Sequence, residues 1–245
     1  IQLGKIRKPK IKTTSNMTIR FKQIARAQKF LNKYFKLHSV YTDINTMTHP
    51  FNVTISFNSE QPFFGTVNTG IINKHNKNAN IIYAIELSKN ITNLTGAIYT
   101  HEIVHSQLMT QFGSIKELYN HEVLPIFIEL LYILEYNNKN NNLFELHDYI
   151  RLKALTTYFQ NILLSKILPM KTNYDLIDHT MFTISTITAY KLFNLYVNGS
   201  IKQREYIINN IQSIFDGNYQ LDDFLKELHI NFDYKTKRKV LKCNL

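Results

Sequence analysis

The chain has 245 residues, of which 44 % are hydrophobic and 13 % aromatic, which is typical of a globular protein and excludes a disordered one. Its single cysteine, Cys243, excludes a disulfide framework and a cysteine metal site, and we expect a cytoplasmic location. The net charge of +11 lies in residues 1–36, which hold eleven basic residues and no acid, so that eighteen basic and eighteen acidic residues remain elsewhere.

The N-terminal region divides into an arm and a helix. Residues 1–16 show no apolar periodicity and are interpreted as an extended basic arm. From Thr18 to Leu37, apolar residues at helical spacing predict an amphipathic helix, with Phe21, Phe30 and other aromatics as core contacts. Because these aromatics do not form a stacking platform, we do not expect a nucleic-acid partner. The positive charge of residues 1–36 has two interpretations. One is a solvated basic face, and the other is attachment of the protein to an acidic partner or an acidic membrane surface.

Residues 40–88 are predicted to form a small sheet. Phe51–Phe57 alternates in polarity, and 63–72 and 81–87 are rich in β-branched residues, which predicts three or four strands. We expect Ile81–Ser88 to be an edge strand beside the site described next, where an extended peptide could add as a further strand.

The segment His101-Glu-Ile-Val-His105 carries the strongest chemical signal, within a helix predicted near 92–111. Histidines four residues apart on a helix differ by about 40° in direction and about 6 Å along the axis. Both imidazoles therefore project from one face, as two ligands of a tetrahedral metal do. Glu102 stands beside them, where it could act as general base on a metal-bound water. The simpler interpretation is an ordinary helix with two surface histidines.

A third ligand must come from the following segment. Glu117 fits a capping box that begins at Ser114. Glu122 and Glu129 are two turns apart on one face of an apolar helix, where a carboxylate is costly to bury unless it is paired or binds a metal. We predict that Glu122 is the third ligand and that Glu129 orients a histidine. Glu129 and His121 are the alternatives to Glu122 as the third ligand.

The rest of the chain is predicted to be helical. The ligand helix is placed near 115–137 with a kink at Pro125. Further helices are predicted at 143–168, 175–197, 201–215 and 221–228. His147 is interpreted as part of a solvated first turn, and no segment has the composition of a membrane span. We therefore expect the arm 1–16 and a single domain 17–245, with a helix and sheet in 17–90 and a helical metal-binding part in 91–232.

His101–His105 followed by Glu122–Glu129 resembles the zinc site of the thimet oligopeptidase and oligoendopeptidase F family, in which a ligand glutamate precedes a second glutamate by seven residues. The segment from Phe182 to Gly199 resembles that family's closing helices. The resemblance implies the C-terminal catalytic half of a gluzincin, with an α+β, zincin-like fold in which a small mixed sheet packs on a helical domain. It implies one Zn²⁺ per chain on His101, His105 and Glu122, Glu102 as base, and peptide substrates.

Two features depart from the family. The loop between His105 and Glu122 is several residues shorter than is usual in the family, which keeps Glu129 open as the ligand in place of Glu122. The family holds the oxyanion with a tyrosine and a histidine near its C-terminal helices, whereas Ser185 and Thr188 occupy positions where tyrosine and glycine are expected. Tyr174, His179 and Tyr190 are possible substitutes. A second interpretation is accordingly a catalytically weakened, peptidase-like binding protein that holds a partner through its basic arm. The sequence does not indicate an oligomeric state.

Overall fold

A computed structural model describes residues 17–37, 51–58, 66–72, 80–88, 94–112, 122–136, 147 and 173–230. The predicted basic arm, 1–16, and most of the predicted helix 143–168 lie outside these residues. The chain forms two compact units. One contains the N-terminal helix, three strands and most of the next two helices, and the other contains the C-terminal helices. The prediction of a single domain over 17–245 stays a prediction.

The predicted α+β, zincin-like fold is wrong. The part of the chain whose packing is described is a helical domain without strands. Its buried side chains lie on helices or directly at helix ends. The physical reason is that these helices bury their apolar faces against other helices, so the described core contains no strand residue that would cover them.

Residues 51–88 contain three strands that pair with one another, namely β1 (Phe51–Asn58), β2 (Thr66–Ile72) and β3 (Asn80–Ser88). Their order is β1-β3-β2. β3 runs parallel to β1, with Ile81 opposite Phe51, and antiparallel to β2, with Glu86 opposite Thr66. The prediction that 81–88 is an edge strand is therefore wrong, because strands on both sides already use its backbone hydrogen-bonding groups.

In the first unit, helix α1 (Met17–Phe35) packs on α2 (Thr95–Phe112) and α3 (Val123–Tyr136). The Phe30 ring meets the Tyr132 ring edge-on at a centroid distance of 5.5 Å. The Tyr99 hydroxyl donates to Gln28 Oε1 at 3.0 Å. At Gly96, an added Cβ would lie 2.8 Å from Tyr132 Cζ, so glycine allows Tyr132 to approach α2 closely. These contacts set the spacing between the two helices that carry the candidate site.

The second unit contains α4 (Asn173–Asn198), α5 (Ile201–Phe215) and α6 (Leu221–Glu227). The Ser200 side chain caps α5 by accepting from Gln203 N. Arg204 donates to the Tyr196 and Val197 carbonyl oxygens at the end of α4. Gly217, with φ of 73°, ends α5 in the left-handed conformation that glycine tolerates best. None of the described helices combines the length and apolar character that a bilayer crossing requires.

Most helix boundaries agree with those predicted from the sequence. Helix α5 coincides with the predicted 201–215, and α1, α2, α4 and α6 deviate from their predicted bounds by a few residues. The exception is α3, which begins at Val123 rather than near 115. Its first helical hydrogen bond runs from Ile126 N to Glu122 O, at 3.1 Å. Pro125 therefore lies in the first turn, where no amide hydrogen is needed, so the reason for a mid-helix kink no longer holds.

Candidate metal centre

Helix α2 carries the two histidines of the predicted motif into the interior of the protein. His101 and His105 are each 7 % exposed, and Glu102 between them is 4 % exposed. The two Nε2 atoms face each other at 2.9 Å, as the four-residue spacing predicts for neighbours on one helix face. The interpretation as two surface histidines is therefore wrong.

Glu129 on α3 orients the first histidine. Its carboxylate, in a residue only 1 % exposed, accepts a hydrogen bond from His101 Nδ1 at 3.1 Å. An ionised carboxylate can only accept, so the ring proton belongs on Nδ1 and the Nε2 lone pair is left to bind a cation. Glu129 thus has the contact that the sequence predicted for the residue that orients a histidine.

Glu122 approaches the same imidazoles from the N-terminal end of α3. It lies immediately before the helix, where its carbonyl oxygen accepts the first helical hydrogen bond, and its side chain is half-buried. One nitrogen from each of His101 and His105 and one Glu122 carboxylate oxygen all lie within 4.8 Å of one another. These three residues could hold a metal ion.

The three donor residues match the ligands that proteins commonly offer to zinc, the metal expected from the sequence. Two imidazoles and one carboxylate are the protein ligands of a common class of catalytic zinc site, which keeps a fourth position open. Donors bound tetrahedrally at zinc distances lie about 3.4 Å apart. The donor atoms are no more than 4.8 Å apart, so moving them to zinc distances requires a shift of at most about 1.4 Å, which a half-buried glutamate side chain can supply. The residues fit zinc in number, type and approximate spacing.

Glu102 is positioned by α2 alone. Helical geometry directs its side chain about 100° from that of His101 and about 60° from that of His105. It is nevertheless almost fully buried, as is Glu129. Burying two carboxylates beside two imidazoles is expensive unless they are hydrogen-bonded or face a cation. Glu129 meets this requirement through its hydrogen bond from His101.

The other candidates from the sequence either lie outside the described part of the chain or are found on α4. Glu117 and His121 lie outside the described residues, as do the side chains of Tyr174 and His179. Ser185 and Thr188 are buried on α4, where the Thr188 hydroxyl donates to the Ile184 carbonyl at 2.9 Å. A hydroxyl used in this way supports the helix backbone, so Thr188 is explained by local structure.

His147 was missed by the sequence interpretation. It is buried, and its Nδ1 lies 3.2 Å from the Tyr190 hydroxyl of α4, so it is not part of a solvated first turn. The adjacent acid and the position after a polar loop suggested a helix start exposed to water. Its partner Tyr190 comes 43 positions later in the chain, and the sequence alone does not indicate this contact. Both residues belong to the second unit.

No match to this chain was found among protein-family models, curated proteins or solved structures. The resemblance to the thimet oligopeptidase and oligoendopeptidase F family stays an expectation.

Proposed function

We propose that this protein is a zinc-dependent metallopeptidase that hydrolyses peptide bonds. The observation that carries the proposal is the convergence of His101, His105 and Glu122 donor atoms within 4.8 Å of one another. Such a site would take one zinc ion per chain. The hydrogen bond from His101 to the buried Glu129 supports it, because this is the usual partner of a histidine that binds zinc.

A bound zinc ion would supply Lewis-acid chemistry: it would polarise a scissile carbonyl and lower the pKa of a water molecule, so that this water loses a proton and becomes a nucleophile near neutral pH. His101 and His105 would present their Nε2 atoms to it and Glu122 its carboxylate. Glu129 would hold the proton on His101 Nδ1 throughout, which keeps the imidazole in the binding tautomer.

Glu102 would act as the general base. Its carboxylate would accept a proton from the attacking water and pass it to the amine that leaves the cleaved bond. The residue is 4 % exposed, so this proton transfer would be shielded from bulk water. Glu102 also follows His101 directly in the chain, so the helical backbone of α2 fixes the relative position of the base and the first ligand.

The test is digestion of a defined peptide library by the purified protein, with and without a chelator, together with mass spectrometry of the bound metal. We expect one zinc per chain and cleavage that stops on chelation and returns with zinc. Glu102→Gln should keep the metal and lose cleavage, since the amide retains the shape but cannot accept the proton.

The matched control is Glu135→Gln, a glutamate on α3 that pairs with Lys33 at the surface. This variant should cleave like the parent protein. A protein that stays metal-free after zinc loading would refute the proposal. Zinc binding without cleavage of any library peptide would instead favour the peptidase-like binding protein.

A further inference from the structure

Helix α1 carries a row of positive charge on its exposed side. Lys22, Arg26, Lys29 and Lys33 are all exposed, and α1 contains no acidic residue. Their spacing of four, three and four residues places them within about 60° of one another around the helix axis, over about 16 Å of its length. We call these four residues the basic stripe.

The stripe is held outward by the opposite face of α1. That face is buried in the core of the first unit through Ile24, Ala27, Phe30, Leu31 and Phe35. Hydrogen bonds with Tyr34 and Glu135 raise the pKa of Lys33, and the ion pair with Glu135 at 3.0 Å offsets its charge, so the net positive charge of the stripe comes from Lys22, Arg26 and Lys29. The direction and the sign of the stripe are therefore properties of the folded helix.

Two large apolar side chains are exposed at the N-terminal end of the same helix. Ile19 is 38 % exposed and Phe21 is 45 % exposed, which corrects the prediction that Phe21 is a core contact. Helical geometry places one on each side of the stripe. Exposed apolar groups beside lysines and arginines are typical of proteins that bind at a membrane interface.

The preceding segment has the same character. Residues 1–16 contain five lysines and arginines interleaved with aliphatic residues, and no acid or aromatic residue. A surface for single-stranded nucleic acid would need aromatic rings for bases to stack on. In α1, Phe30 and Phe35 are buried, which leaves Phe21 as the exposed phenylalanine of that helix. The composition therefore fits a lipid surface better than a nucleic acid.

We propose that α1 binds the surface of a membrane that contains anionic phospholipids. The basic stripe contacts the lipid phosphates, and Ile19 and Phe21 enter the boundary between headgroups and acyl chains. This surface shares no residue with the proposed metal centre, so it adds a site of attachment to the proposed peptidase rather than a step in its reaction.

The test is co-sedimentation of the full chain with two kinds of vesicle, phosphatidylcholine alone and phosphatidylcholine with phosphatidylglycerol. We expect binding to the anionic vesicles only, and weaker binding as the salt concentration rises. Each cation near such a surface contributes about five-fold in affinity, so Lys22→Gln/Arg26→Gln/Lys29→Gln should weaken binding about 100-fold. Phe21→Ser should weaken it about ten-fold, through loss of the inserted ring.

The matched control is Lys191→Gln/Lys202→Gln/Lys226→Gln, which removes the same charge from exposed positions on α4, α5 and α6. It should bind anionic vesicles nearly as well as the parent protein. Equal losses in both triple variants, or equal binding to neutral vesicles, would overturn the proposal. The proposal would also be overturned if the protein does not sediment with anionic vesicles but binds a single-stranded oligonucleotide tightly in a fluorescence anisotropy assay. None of these measurements depends on bound zinc.

Discussion

Replacing Glu129 is expected to weaken zinc binding without removing a ligand. Its carboxylate is buried and accepts a hydrogen bond from His101 Nδ1 at 3.1 Å. A hydrogen bond to a charged group contributes about 1.5–3 kcal/mol, and a neutral one about half of that. Glu129→Gln retains an acceptor oxygen and should cost about 1 kcal/mol, close to a ten-fold loss of affinity, whereas Glu129→Ala should cost about 100-fold.

The assay is competition for zinc between each variant and a fluorescent chelator, with unfolding curves recorded in parallel. Glu135→Gln, at the surface of the same helix, is the control and should keep the parent affinity. The Ala variant should also unfold more easily, because it leaves a cavity beside buried residues. Parent affinity in Glu129→Gln would refute the orienting role. A loss as large as that of His105→Ala would identify Glu129 as a ligand.

Two further predictions concern the packing and the ionisation of the protein. Gly96→Ala should destabilise the first unit by about 1–3 kcal/mol, since the new Cβ would press on Tyr132, and an unchanged urea-unfolding midpoint would contradict this close approach. The Tyr206 hydroxyl donates to Glu227 at 2.5 Å and lowers the pKa of that carboxyl. A lowered folded-state pKa means that the bond stabilises the protein above the ordinary glutamate pKa and that this contribution is lost as the pH falls through the lowered value. Tyr206→Phe should therefore raise the Glu227 pKa in a carboxyl NMR titration and weaken the decline in stability at acidic pH, and an unshifted titration curve would count against the bond.

The chain's local geometry could be predicted from sequence because it depends on neighbours only a few residues apart. The four-residue spacing of His101 and His105 places both imidazoles on one face of any α-helix. The boundaries of α5 follow from the cap at Ser200 and an apolar stripe with helical period, and both are readable in the sequence.

Tertiary contacts decided what the sequence left open. Periodicity placed Glu122 and Glu129 on one helical face, but only the packing of α3 against α2 sets Glu129 on His101 Nδ1 and brings a Glu122 oxygen near both imidazoles. The central position of β3, the burial of His147 and the helical core likewise depend on residues far apart in the chain. A sequence pattern reports which face of an element is apolar, and it does not report which other element covers that face. For this protein the motif was therefore determined by the sequence, whereas the neighbours that could make it a metal site were decided by the fold.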